Sequence, residues 1–273
     1  MNSAQKQSLE QIKLYFDKNW FEYKDPLLDF QSEEDKDSFL LRFLRARNFE
    51  IEKSITMMDI CLEWRKNINI APGNLHDPHK IQKIVLGDGA ESYFVDSGMV
   101  DKAGKPYLIG RTCLINNAKM DGNTHLTAVT LVLEHAMVYS LRFPVEYCSY
   151  ILDLREDPEY PPNSVGSASL DILREGIHRA SEYYPEGLGK VYLIGAGWAF
   201  YMLWKVMSLW ITTRTKNKVV FLDQDKWKEQ LLEYFDKDQL VEDFGGTGPP
   251  LGGKVFIERA VERYIHNAQN RSA

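Results

Sequence analysis

The chain has 273 residues, of which 44% are hydrophobic and 26% charged, and a formal net charge of −6. That length and composition suffice for one large domain or two small ones and exclude wholesale disorder. The acidic balance, with no run of Lys and Arg, excludes a general nucleic-acid binder and leaves no adsorption to anionic membrane by charge alone.

The first third reads as helix. Residues 4–17, 36–46 and 50–68 set apolar side chains among polar ones, and the last form an amphipathic stripe through Ile51, Ile55, Met58, Cys61, Leu62 and Trp64. Ala71, Pro72 and Gly73 break the pattern. Beyond them, strand-like and helix-like segments alternate. Strands are expected over 107–113, 149–154, 191–194 and 218–222, and helices over 124–142 and 164–183. A last helix is expected over 253–266. Short apolar runs alternating with helices imply an α/β fold with a mostly parallel sheet flanked by helices.

Trp198–Ile211 reads WAFYMLWKVMSLWI, in which only Lys205 and Ser208 are polar. So apolar a helix is expected to be covered almost all round, yet it is too short to cross a bilayer. Two readings stand: a central core helix, or a helix with an apolar ligand on one side and a membrane on the other, where Trp and Tyr favour the interface.

Cys61, Cys113 and Cys148 lie far apart in apolar stretches and read as free, buried thiols. The N-terminal MNSAQKQSLEQIK lacks the apolar core of a signal peptide, and no segment of about 20 apolar residues is present, so a cytoplasmic protein is expected. Enzyme signatures are missing. No GxSxG elbow or phosphate-binding GxxxxGK[ST] loop occurs, and Gly195–Gly197 lacks the third glycine of a dinucleotide fingerprint. His125, His135 and His178 are scattered, without zinc-ligand spacing, and Asp153 reads as a structural carboxylate.

Residues 39–66, FLLRFLRARNFEIEKSITMMDICLEWRK, resemble the N-terminal helical part of the CRAL-TRIO family, with LLRFLRAR followed by the Trp64–Arg65 pair. Further on, REGIHRASEYYPEGLGKVYLI, the apolar helix, TRTKNKVVFL and the FGG of Phe244–Gly246 resemble its lipid-binding half in the same order. The resemblance covers roughly residues 8–250. It implies an N-terminal helical subdomain over 1–75, a lipid-binding domain with a large apolar cavity over 76–250 and a helical extension over 251–273. It also makes Trp198–Ile211 the helix that gates the cavity, through Trp198, Phe200, Tyr201, Leu203, Trp204, Met207 and Trp210.

What the resemblance implies in function is a carrier that exchanges phosphatidylinositol between membranes, contacting their surface transiently and peripherally. The second lipid and any protein partner stay open. No enzyme activity, metal or cofactor beyond a bound phospholipid is expected. A phosphodiester calls for cations or hydroxyl donors, and inositol hydroxyls call for a carboxylate. The resemblance places these at Glu175, Lys218, Arg47, Thr215, Asp101 and Gly246. Plainer readings stand beside it: a solvated Glu175/Lys218 pair, an Arg47 that fastens the helical bundle, turn roles for Thr215 and Asp101, and a backbone role for Gly246. Asn48 stands where a Lys commonly follows RAR, and Gly195 and Gly197 replace Asn and Pro before the gate. Cys148, Tyr150, Ser97 and Leu108 stand at the positions that hold choline lipid in related proteins, which puts phosphatidylcholine in doubt. A lipid-regulated adaptor for a kinase or trafficking partner, and a carrier of sterol, tocopherol, retinoid or haem, are the competing readings.

Overall fold

The computed structural model describes residues 1–23, 28, 30–68, 94–112, 122–140, 143–156, 170–251, 258–259, 262–263 and 266. Three helices come first: α1 (Ser3–Tyr23), α2 (Glu33–Ala46) and α3 (Ile51–Asn67). Ser32 starts α2 by accepting a hydrogen bond from the Asp35 amide, and Glu33, Glu34 and Asp35 complement the exposed amides of the first turn. Phe39, Leu40, Phe43 and Leu44 then bury one face of α2 against Leu9, Ile12 and Phe16 of α1 and Met57, Met58, Cys61 and Leu62 of α3.

The second part is a five-stranded sheet in the order β1 (Phe94–Val100), β2 (Pro106–Arg111), β3 (Cys148–Asp153), β4 (Leu188–Ile194) and β5 (Val219–Phe221). β1 runs antiparallel to β2, and every later pair is parallel. Between the strands lie α4 (Gly122–Ser140), α5 (Leu170–Glu182), α6 (Trp198–Met207) and the short α7 (Thr213–Lys216); α8 (Trp227–Tyr234) follows β5. Parallel strands laid down in sequence order, with crossovers of the usual right hand, put the connecting helices on one face. The side chains agree, alternating with the period of two that a pleated strand imposes. Leu108, Cys148 and Tyr150 meet Val132 and Ala136 of α4, whereas Tyr107, Ile109, Ile151, Tyr192 and Ile194 meet Trp227, Leu231, Phe235 and Phe244.

Several expectations are corrected. β1 and α8 were not foreseen. Phe94–Val100 reads FVDSGMV, and its polar centre, with Gly98 at φ 68° beside a register shift, hides the alternation of a strand. α6 ends at Met207 and is not covered all round: Trp198 is 82% exposed and Met202 55%. The burial argument for an apolar helix assumes that the fold supplies cover, and here only one side receives it. Cys61 and Cys148 are free and buried, as expected, while Cys113 lies outside the described residues. So do the boundary placed at 75/76 and most of the helix expected over 253–266.

The helical bundle and the sheet domain share a junction. Trp64 stacks on Tyr183, with ring centroids 4.1 Å apart. Next to it, the Arg65 guanidinium pairs with the Glu134 carboxylate, and the Tyr184 hydroxyl donates to the same carboxylate at 2.6 Å. All three side chains are buried, so each charge depends on the others for the solvation it has lost. Glu134→Ala removes the carboxylate that faces the buried Arg65 guanidinium. It should cost about 3–5 kcal/mol of stability in urea unfolding, whereas a loss below about 1 kcal/mol, the range of an exposed pair, would show that the junction is solvated.

Candidate functional site

Parallel strands start at the same edge of a sheet, so the residues just before them gather there. β3, β4 and β5 begin at Cys148, Leu188 and Val219, and the segments leading into them supply Glu146, Glu186 and Lys218. Asp101, in the turn before β2, joins them. Asp101, Glu146, Glu186 and Lys218, with Arg45, Ser149, Lys190 and Arg214, line a polar cavity of about 530 Å³. Glu186 is the hub. Its carboxylate is ion-paired with Arg214 Nη2 at 2.9 Å and lies 3.9 Å from Lys218 Nζ, which donates to the Leu188 carbonyl at 2.7 Å. Glu186 holds a left-handed backbone at φ 58°, a conformation that costs a non-glycine residue about 1–3 kcal/mol and that clusters at ligand sites. Burial pushes the Lys218 ammonium below the usual lysine range; the Glu186 carboxylate opposes that shift and Arg214 adds to it.

A second cavity, of about 600 Å³, lies between the sheet and its helices. Tyr150, Leu152, Leu188 and Val191 form its sheet wall, with Val132, Leu133 and Ala136 of α4 and Ile177 and Ala180 of α5 opposite. Its polar rim carries Arg42, Arg45, Arg47, Glu182, Glu186, Arg214, Thr215 and Lys218. The two cavities share Arg45, Glu186, Leu188, Arg214 and Lys218, so one charged wall separates a greasy chamber from a polar one. The apolar chamber suits hydrocarbon, and the polar one suits an anion bearing hydroxyl groups.

The residues expected at a headgroup site divide. Lys218, Arg47 and Thr215 line the apolar cavity, and Asp101 lines the polar one. Arg47 donates to Glu182 at 2.7 Å, and the Thr215 hydroxyl meets that of Thr212 at 3.0 Å. Asp101 Oδ1 is taken up by the amides of Ala103 and Lys105, and its Oδ2 accepts from Ser149. Glu175 stands apart: four residues from Arg179 on the same helix, it accepts from that guanidinium at 2.8 Å and lines neither cavity. The carboxylate beside Lys218 is instead Glu186, the acid of the YYPE motif itself. Gly246 also lines neither cavity; a Cβ there would lie 1.8 Å from the Leu240 carbonyl, so close packing demands the glycine. Of the choline-lipid positions, Tyr150 reaches the apolar cavity, while Cys148, Leu108 and Ser97 line neither.

None of the seven gate candidates lines either cavity. Phe200, Tyr201 and Trp204 instead surround Phe221 of β5, with Tyr201 stacked on it at 4.9 Å. α6 therefore sits on the same sheet face as the apolar cavity but towards the carboxyl ends of β4 and β5, against Leu154, Leu193 and Ala196.

The model of the CRAL/TRIO domain matches residues 91–246, and that of the CRAL/TRIO N-terminal domain matches residues 6–59. The chain belongs to the CRAL/TRIO family. Among its relatives, the SEC14 cytosolic factor of Kluyveromyces lactis is 30% identical over 77% of this chain and 70% of its own length. The Sec14 cytosolic factor of Schizosaccharomyces pombe is 27% identical over 93% of this chain and 86% of its own. The phosphatidylinositol/phosphatidylcholine transfer protein SFH12 of Arabidopsis thaliana is 27% identical over 85% of this chain, which spans only 45% of that longer protein. The crystal structure of Sfh5 superposes with a TM-score of 0.68 over 99% of this chain and 98% of its own, at 14% identity, which speaks for a common CRAL/TRIO fold.

Proposed function

We propose that this CRAL/TRIO chain carries phosphatidylinositol between membranes, its acyl chains in the apolar cavity and its headgroup in the polar one. The observation that carries this reading is the shared wall of Glu186, Lys218, Arg214 and Arg45 between the two chambers. A lipid laid across that wall puts its phosphodiester against cations and its inositol hydroxyls against the Glu186 carboxylate, each meeting the chemistry it needs. The names of the relatives support the class of ligand: the Arabidopsis relative is a phosphatidylinositol/phosphatidylcholine transfer protein. Taking a lipid from a bilayer costs about 0.8 kcal/mol for each CH₂ exposed to water, and a dry apolar chamber offsets that cost.

Membrane contact is assigned to α6. Its apolar residues form two faces. Phe200, Leu203, Trp204 and Met207 turn partly inward, while Trp198, Met202, Val206 and, in the following turn, Leu209 form an exposed stripe at helical spacing. A tryptophan at the head of such a stripe suits the lipid–water interface. No helix among the described residues is long and apolar enough to cross a membrane, so the stripe would rest on one leaflet. In this reading α6 also moves to admit the lipid, since both face the same side of the sheet.

Two measurements test these assignments. Glu186→Gln should lower the transfer of labelled phosphatidylinositol between vesicles by about tenfold or more, the worth of a hydrogen bond to a charged group. Glu175→Gln should leave it within about twofold, because exposed helix pairs contribute little. The reverse ranking would return the headgroup to Glu175. Replacing Trp198, Met202 and Leu209 together by Ser should weaken vesicle binding in flotation while leaving the melting temperature near that of the parent. Unchanged flotation would remove α6 from the membrane contact.

A further inference from the structure

The apolar cavity has five cations in its wall: Arg42, Arg45, Arg47, Arg214 and Lys218. Four of them have acceptors. Arg45 donates to Glu146 at 3.0 Å and Arg47 to Glu182 at 2.7 Å, Arg214 is ion-paired with Glu186 at 2.9 Å, and Lys218 donates to the Leu188 carbonyl at 2.7 Å. Arg42 differs. It is only 2% exposed, its Nε and Nη2 have no hydrogen-bond acceptor, and no carboxylate pairs with it among the described residues. Burial pushes its guanidinium down to about 10, with Arg45 adding to the shift and Glu146 opposing it.

An unpaired guanidinium buried this deeply is unfavourable, because it has lost water and gained no anion in return. The nearby carboxylates of Glu146, Glu182 and Glu186 pair with Arg45, Arg47 and Arg214 rather than with Arg42. Nε and Nη2 are closed off from the chamber as they stand, but once the side chain turns towards it the planar fork of Arg matches the two oxygens of a phosphodiester or a carboxylate, and both arrive on apolar chains of the kind this cavity fits.

We propose that Arg42 is an internal anion anchor of the cavity, receiving the oxyanion of an amphiphile whose hydrocarbon fills the chamber. This rests on reading the cavity as a lipid site and adds a contact distinct from the Glu186 and Lys218 wall. The shared chemistry is an oxyanion on a long apolar chain, whether the phosphodiester of a phospholipid or the carboxylate of a free fatty acid. The unpaired charge carries a cost that a bound anion removes. Charged lipids are therefore favoured over neutral ones of the same length.

The test uses the full chain stripped of lipid, with two matched pairs below their micelle concentrations: oleate against oleyl alcohol, and oleoyl-lysophosphatidylinositol against monooleoylglycerol. The wild-type chain should prefer the charged member of at least one pair by about tenfold or more. The pair that shows the preference identifies carboxylate or phosphodiester as the anion. Arg42→Met should erase that preference while holding the neutral partner within about twofold, and its lipid-free form should melt no lower than the parent, since a buried unpaired charge has been replaced by an apolar side chain. Arg42→Lys, which keeps the charge and loses the fork, should retain part of the preference. A preference that survives in Arg42→Met, or a lipid-free Arg42→Met that unfolds or melts well below the parent, overturns the anchor and leaves the lipid site standing. A wild-type chain that binds neither pair overturns both.

Discussion

The parallel arrangement of β2 to β5 is the constraint on which the rest of the molecule depends. It brings Asp101, Glu146, Glu186 and Lys218, far apart in sequence, to one edge of the sheet. Parallel connections also require crossover helices, and these leave a chamber over one sheet face. The opposite face is closed by Trp227, Leu231, Phe235 and Phe244. Open α/β sheets commonly bind ligands beyond the carboxyl ends of their strands. Here the charged edge is the amino one, while the carboxyl ends of β4 and β5 support α6.

The helical bundle makes this arrangement specific. Trp64 and Arg65 grip Tyr183 and Tyr184 through a ring stack and the buried Glu134 carboxylate. Two residues beyond Tyr184 stands Glu186, so the bundle fixes the segment that presents the hub of the charged wall. The bundle also contributes the arginines of α2 and its C-terminus to the cavity. Asn48, which follows them, takes a left-handed backbone at φ 52°, a conformation that asparagine tolerates better than most residues. Its place after RAR thus suits the turn that leads out of α2.

Much of this was legible in the sequence, and the gaps have physical causes. The α/β class, the mostly parallel sheet and the helical first third follow from periodicity and from short apolar runs. β1 escaped because its register shift and polar centre erase alternation. The apolar run at 198–211 announced its unusual burial but not its direction, because a hydrophobic face has the same composition under protein, lipid or water. Among the candidate site residues, Lys218, Arg47, Thr215 and Asp101 line the cavities, whereas Glu175 was drawn from a helix whose own Arg179 claims it. Glu186 lay in plain view within YYPE; only the adjacency of β4 and β5 places it beside Lys218. Arg42 could not be singled out, since sequence lists three arginines in LLRFLRAR and says nothing of which one lacks a partner.

In the proposed function, the chamber houses a single phospholipid with its inositol headgroup against the charged wall. Native mass spectrometry of the chain after incubation with mixed phosphatidylinositol and phosphatidylcholine vesicles tests it most directly. One added lipid per chain is expected, with fragments that carry inositol phosphate. A chain that emerges without lipid, or with a lipid lacking that headgroup, would contradict it.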